Sequence, residues 1–240
     1  MRKLKVPSLQ HLARTWHEDP KRITREFVAL AKGGPTFSYE PLFESVRDLL
    51  VFSIPYLQIV EGVKRGVKRQ DVRDNFLGLL PLIKDHFDGV SANFVHDVAP
   101  RFYSVGRDLM IPFNPPLIYG ANDQIYFPWF SFWRSNPLSG ERLSLFVSIV
   151  EEVLLQDSDL EDAKFSILDF SAPAARLPRE LTVVDTSSIP RVSESRKAEM
   201  LSVFADGFIA ARDAVSNMAR HEVAEDDEDD SSVGQFLLDL

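Results

Sequence analysis

The 240-residue chain contains no cysteine, which excludes disulfide bonds, thiolate metal sites and cysteine nucleophiles. No apolar run approaches the roughly 18 to 20 residues that a membrane-spanning helix needs. The charged start, residues 1–5, leads into a polar helix and not into the apolar core of a signal peptide. We therefore expect a cytoplasmic protein with no membrane association. Glycine is scarce, at 11 residues, and the sequence has neither a phosphate-binding loop nor a glycine-rich dinucleotide turn.

What the chain does have is a 45% share of hydrophobic residues, which is enough to bury the core of one domain or slightly more. Its net charge of −9 is unevenly distributed. Eight of the 36 acidic residues lie in 222–240, where there is no Lys or Arg, so the rest carries 28 acidic against 27 basic residues. Residues 1–32 carry eight basic residues and three acidic ones. The chain therefore has a basic head (1–32), a nearly neutral body and an acidic tail (222–240).

The spacing of apolar residues predicts that the first third of the chain is helical, because they recur at intervals of three and four. Four stretches show this pattern: 9–16, 20–32, 41–60 and 71–87. We expect Pro55 to bend the third helix, since proline removes one hydrogen bond and crowds the preceding turn.

The pattern changes near residue 100, where short apolar and aromatic runs alternate with turn residues. It predicts strands over 109–113, 117–119, 125–133, 164–170 and 180–185, and helices over 141–154 and 195–220. We therefore predict an α+β (or α/β) fold, in which a helical region (1–90) precedes a β-β-α-β-β-α region (91–220) packed with it. That second region would hold a small mixed sheet flanked by helices.

Residues 221–240 form an acidic segment that cannot bury enough apolar surface to offset the entropy of the chain, so we predict a disordered tail. The tail ends in four large apolar side chains: Phe236, Leu237, Leu238 and Leu240. One interpretation is a solubilising end with no further role. The other is a segment that folds on a protein partner or on the basic head, with the acidic residues steering it.

The local patterns in 114–120 and 125–134 resemble the two catalytic strands of the restriction-endonuclease-like (PD-(D/E)xK) nuclease superfamily. In that family a Pro-Asp pair, an acidic-x-Lys triplet, a helix and a further strand follow one another. Its carboxylates hold Mg²⁺ and its lysine helps to activate water. Here Pro116 stands where the aspartate would be, and 127–134 contains neither an acid nor a lysine. The resemblance therefore implies a nuclease-like fold without catalytic residues and without a metal.

Carboxylates elsewhere in the chain offer an alternative, metal-dependent site. Asp169 and Asp185 follow two predicted strands and could converge on Mg²⁺ with Glu151 or Glu152. The competing interpretation is that each aspartate caps a turn formed by the residues after it.

Two further patterns allow contact with nucleic acid. Lys21, Arg22 and Arg25 begin the second helix, where the recognition helix of a helix-turn-helix meets DNA, although they also suit a solvated face. The aromatic segment 127–133 could stack bases, but apolar residues on both faces are typical of a buried central strand.

We favour a non-catalytic interaction or regulatory protein without a cofactor, whose tail binds a protein partner, in a nucleic-acid-handling complex. The alternatives are a metal-dependent nuclease or hydrolase that uses Asp169 and Asp185, and DNA binding through the basic N-terminal helix pair. Under these hypotheses the protein contacts nucleic acid either indirectly or through its basic N-terminal head, residues 1–32.

Overall fold

A computed structural model describes residues 4–33 and 37–233, with side chains described as far as Met218 and at Arg220. Its helices are α1 (Leu9–Thr15), α2 (Pro20–Lys32), α3 (Glu40–Leu50), α4 (Tyr56–Gly66), α5 (Gln70–Phe87), α6 (Glu141–Leu155) and α7 (Glu194–Val233). Its strands are β1 (Phe94–His96), β2 (Arg101–Ser104), β3 (Met110–Phe113), β4 (Ile118–Ala121), β5 (Gln124–Ser131), β6 (Lys164–Asp169) and β7 (Thr182–Asp185). The fold is α+β, as predicted. None of the described helices is both long enough and apolar enough to cross a membrane.

The described residues form two compact units, which do not follow the predicted boundary near residue 90. Of the described residues, a helical unit draws on 4–33, 104–111 and 193–233, and a sheet unit on 37–103 and 112–192. The predicted helical region is thus divided, because α1 and α2 belong with α7 whereas α3, α4 and α5 belong with the sheet.

In the helical unit, α2 packs along α7. Asp19 caps α2 by accepting a hydrogen bond from the backbone N of Lys21 at 2.9 Å, and Pro20 occupies the first turn. The apolar stripe of α2 is buried, and the ring of Phe27 meets those of Phe204 and Phe208 edge-on, at 5.8 and 5.2 Å between centroids.

Helix α7 continues to Val233, beyond the predicted end near residue 220. The prediction of a disordered chain from residue 221 differs from this helical backbone. A physical reason is that each residue added to an existing helix gains a hydrogen bond, which outweighs the lower helix propensity of the aspartates in 226–230. The four apolar residues of the predicted partner-binding end lie outside the described residues.

The sheet unit contains a five-stranded sheet of order β1-β4-β5-β6-β7. Strands β4 and β5 form an antiparallel hairpin whose two-residue turn, Asn122 and Asp123, has positive φ at both positions. Strands β5 and β6 are parallel and α6 connects them, whereas β7 runs antiparallel to β6. Strands β2 and β3 form a separate two-stranded ribbon. The sequence did not predict β1 or β2, because His96, Arg101 and Ser104 interrupt the apolar runs by which the other short strands were recognised.

Helices α3, α4 and α5 share one hydrophobic core with the sheet. The predicted helix over 41–60 is divided into α3 and α4 by residues 51–55, where Ser53 has a φ of 50°. Strand β5 lies in the middle of the sheet and its aromatic side chains are buried, namely Phe127, Trp129 and Phe130, followed by Phe132. This confirms the interpretation of 127–133 as a buried central strand.

Candidate functional site

A polar cluster lies at the carboxyl ends of the two parallel strands. Ser131 ends β5 and Asp169 ends β6, and the two residues are register partners. Their exposed fractions are only 3% and 5%. Because α/β folds place ligand-binding groups at the carboxyl ends of parallel strands, this edge is the natural candidate site in the sheet unit.

The carboxylate of Asp169 caps the turn after β6. It accepts hydrogen bonds from the backbone N and the hydroxyl of Ser171, both at 3.1 Å. Burial raises the pKa of Asp169, while hydrogen bonds from Ser171 and Asn136 and the charge of Arg179 act in the opposite direction. The geometry therefore agrees with the turn-capping interpretation of this residue.

Two buried polar atoms beside Asp169 have no hydrogen-bond partner among the described residues, the Ser131 hydroxyl and the Trp129 indole nitrogen. Positions 129 and 131 share one face of β5, because side chains alternate along a strand. On this face Trp129 packs against Phe146 of α6, with 5.2 Å between ring centroids.

Arg179 binds the segments that follow β5 and β6, a role that sequence reasoning missed because no local pattern marks it. Its Nη1 donates to the carbonyl oxygens of Phe132, Trp133 and Phe170 at 2.9, 3.0 and 3.0 Å. Its Nη2 donates to the side-chain oxygen of Asn75 on α5 at 2.7 Å. Burial lowers the pKa of Arg179. The charge of Arg134 lowers this pKa further, whereas Tyr39 and Asp169 raise it. The guanidinium of Arg179 thus connects parts of the fold at the carboxyl ends of β5 and β6, where a ligand would be expected.

The structure does not bring the two candidate catalytic aspartates together. Asp169 lies opposite Thr182 in the β6–β7 pair, and Asp185 lies opposite Ser166. Thr182 and Asp185 are three residues apart along β7, so the two aspartates are separated by about 10 Å along the strand direction. Asp185 accepts a hydrogen bond from the backbone N of Ser187 at 3.0 Å, as an aspartate that caps a turn should.

The two candidate glutamates also have structural partners. Glu151 forms a two-pronged ion pair with Arg191, and Glu152 accepts a hydrogen bond from the hydroxyl of Tyr103 at 2.8 Å. Glu151 and Asp185 lie at one cavity of about 530 Å³ beside the end of α6. Among the described side chains, those of 4–33, 37–218 and 220, no three His, Asp or Glu residues are grouped so that they could hold a metal ion.

The basic residues at the start of α2 have exposed side chains, as their predicted role requires. These are Lys21, Arg22 and Arg25. Arg22 is engaged within the unit, because its Nη1 donates to His17 Nε2 at 2.9 Å and its Nε lies 3.6 Å from a carboxylate oxygen of Glu26. DNA binding through this helix stays a prediction.

The two aspartates should make opposite contributions to the pH dependence of stability. Because the folded-state pKa of Asp169 is raised, the folded protein holds this proton more tightly than the unfolded chain does. The free energy of unfolding of the wild type relative to Asp169→Asn is therefore expected to fall as pH rises from the ordinary pKa through the raised one. Urea unfolding at a series of pH values measures this difference.

Asp185→Asn provides the control of opposite sign. Hydrogen bonds from Ser187 lower the pKa of Asp185, so its contribution is present above the ordinary pKa and is lost as pH falls through the lowered one. If the stability differences of both variants changed with pH in the same direction, the opposite directions of the two pKa shifts would be contradicted.

The segment 118–169 contains a strand, a turn, a second strand, a helix and a third strand, in that order. The positions that the nuclease resemblance assigns to catalysis hold Pro116 and the buried aromatic residues of β5. No family model matches the chain, and no curated protein matches it. Kinship with the nucleases stays a prediction.

Proposed function

We propose that the protein is a non-catalytic adaptor or regulator that binds a protein partner through its acidic C-terminal segment, residues 222–240. The observation that carries the proposal is that each of the four candidate catalytic carboxylates is engaged in a separate contact of the fold. Asp169 and Asp185 cap different turns, Glu151 pairs with Arg191, and Glu152 binds Tyr103. Carboxylates held in separate contacts favour a structural role over a shared reactive centre, although Glu151 and Asp185 also line one cavity.

Helix α7 supports a role for the acidic segment in binding. The last buried side chain described on α7 is Val215, and the following described side chains, such as Ser216 and Asn217, are exposed. The helical backbone continues for 18 residues past Val215, up to Val233, which corresponds to about 27 Å. A helical backbone that continues past the last described buried side chain would carry the acidic residues along it, and these favour a partner with a basic surface.

Deletion of 222–240 tests the proposal. We expect the melting temperature to stay within about 2 °C of the wild type, because the last described buried side chain of α7 precedes the deletion. A protein captured by the full chain in a quantitative pull-down should be lost.

Two variants separate the contributions of charge and of apolar contact. Replacing Phe236, Leu237 and Leu238 with alanine should weaken capture at every salt concentration, because apolar contacts are not screened by ions. Replacing the acids in 225–230 with their amides should weaken capture mainly at low salt. An unchanged set of captured proteins after deletion would refute the proposed role of the segment.

A further inference from the structure

The outer edge of β7 lies at one end of the five-stranded sheet. This strand is last in the sheet order, and among the described residues it pairs with β6 alone. In an antiparallel pair, alternate residues direct both backbone groups away from the neighbour, so two of the four residues of β7 present them outward. The strand is exposed, with Val183 at 52%. Sequence 182–185 contains neither proline nor lysine, two residues that protect an edge from pairing, although the strand is only four residues long and ends in the charged Asp185.

The edge strand runs directly into the cavity of about 530 Å³. The last residue of β7, Asp185, lines this cavity together with Thr186 and Ser187. The opposite wall is the end of α6, where Leu155 is 64% exposed. A strand added to β7 would therefore bring one of its side chains to a cavity of the size that binding sites commonly have.

The lining of the cavity selects a basic side chain. Its carboxylates belong to Glu151, Glu161 and Asp185, and its cations to Lys164 and Arg191. Since Glu151 and Arg191 neutralise each other, two carboxylates remain against one lysine. The carbonyl end of α6 adds negative potential.

The rest of the cavity lining is apolar and suits the long aliphatic stem of arginine or lysine. It consists of Leu154, Leu155, Leu160, Ala163 and Phe165.

We infer that the outer edge of β7 binds an extended segment of a protein partner as an added strand, and that the cavity takes an arginine or lysine side chain of this segment. Backbone hydrogen bonds supply affinity, and the cavity supplies specificity. The inference rests on the proposed function only in that the partner is a protein, because this surface shares no residue with 222–240.

The experiment uses the full chain and three pools of short random peptides, with blocked ends and a central arginine, leucine or glutamate. Fluorescence anisotropy should show binding of the arginine pool at least about tenfold tighter than that of the glutamate pool. Hydrogen exchange should show slower exchange of outward-facing β7 amides when the arginine pool is added. The variant that lacks 222–240 should bind the pool equally well, which separates this surface from the tail.

Two variants with matched controls locate the binding. Val183→Lys places a charge on the exposed edge and is expected to weaken binding of the arginine pool about tenfold. Its control is Leu57→Lys, which changes a 75% exposed apolar residue on α4 of the same unit. Glu161→Lys reverses a charge of the cavity and should weaken binding by a similar factor, whereas Glu44→Lys on α3 should not. If Val183→Lys fails to fold, Glu161→Lys still decides.

Three results would overturn the inference. The first is absence of binding by any pool, which leaves the tail test of the proposed function standing. The second is unchanged affinity in Val183→Lys and Glu161→Lys together with unchanged exchange of the β7 amides. The third is a dimer, seen by sedimentation, that Val183→Lys dissociates, because the edge would then bind a second copy of this chain.

Discussion

Replacing Arg179 with leucine is expected to lower the free energy of unfolding by about 3 kcal/mol, measured by urea denaturation. The substitution removes the donor that serves three carbonyl oxygens and the side chain of Asn75. These acceptors come from the segments after β5 and β6 and from α5, and leucine offers no donor to any of them. The loss should exceed that of an ordinary surface arginine, because the side chain is partly buried.

Arg134→Leu is the matched control for this prediction. Arg134 follows β5, one of the two strands whose exits Arg179 contacts, and it carries the same charge, but its side chain is exposed. Its substitution should change stability by less than about 0.5 kcal/mol. Arg179→Lys should fall between the two, since one ammonium group retains the charge but cannot reach all four acceptors. If Arg179→Leu and Arg134→Leu lowered the free energy of unfolding equally, the hydrogen bonds of Arg179 would contribute nothing beyond its charge.

Replacing Gly207 with valine is expected to destabilise the helical unit by about 3 kcal/mol, through a clash between α2 and α7. A Cβ atom at Gly207 would lie 2.7 Å from the Cβ of Ile23 and 2.7 Å from the carbonyl oxygen of Pro20. The helices would have to move apart. This movement would also disturb the hydrogen bond from the Thr24 hydroxyl to the carbonyl of Gly207, which is 3.0 Å long. Thermal unfolding followed by circular dichroism measures the loss.

Gly62→Val on α4 controls for the effect of valine in a helix. A Cβ atom at Gly62 meets no other atom within 4 Å, so the change should leave stability unaltered or slightly improved. If Gly207→Val is no more destabilising than Gly62→Val, close packing does not explain the glycine at 207.

The sequence by itself determined most helices and the central strands, because their signals are local. The apolar spacing of 20–32 and the cap at Asp19 reappear in α2. The run 125–133 became β5, and its apolar character on both faces placed it correctly inside the sheet. Asp169 and Asp185 cap turns. Turn capping depends on residues that are adjacent in the chain, so it could be predicted from the sequence.

Only the tertiary structure decided which elements meet. The indole of Trp16 donates to the carbonyl of Met200, a contact between residues 184 positions apart, and no local period reports such a pairing. The same holds for the acceptors of Arg179 and for the separation of Asp169 from Asp185, which follows from β7 running antiparallel to β6. Periodicity reveals that a face is apolar, but the partner that covers it is chosen by the packing of the whole chain.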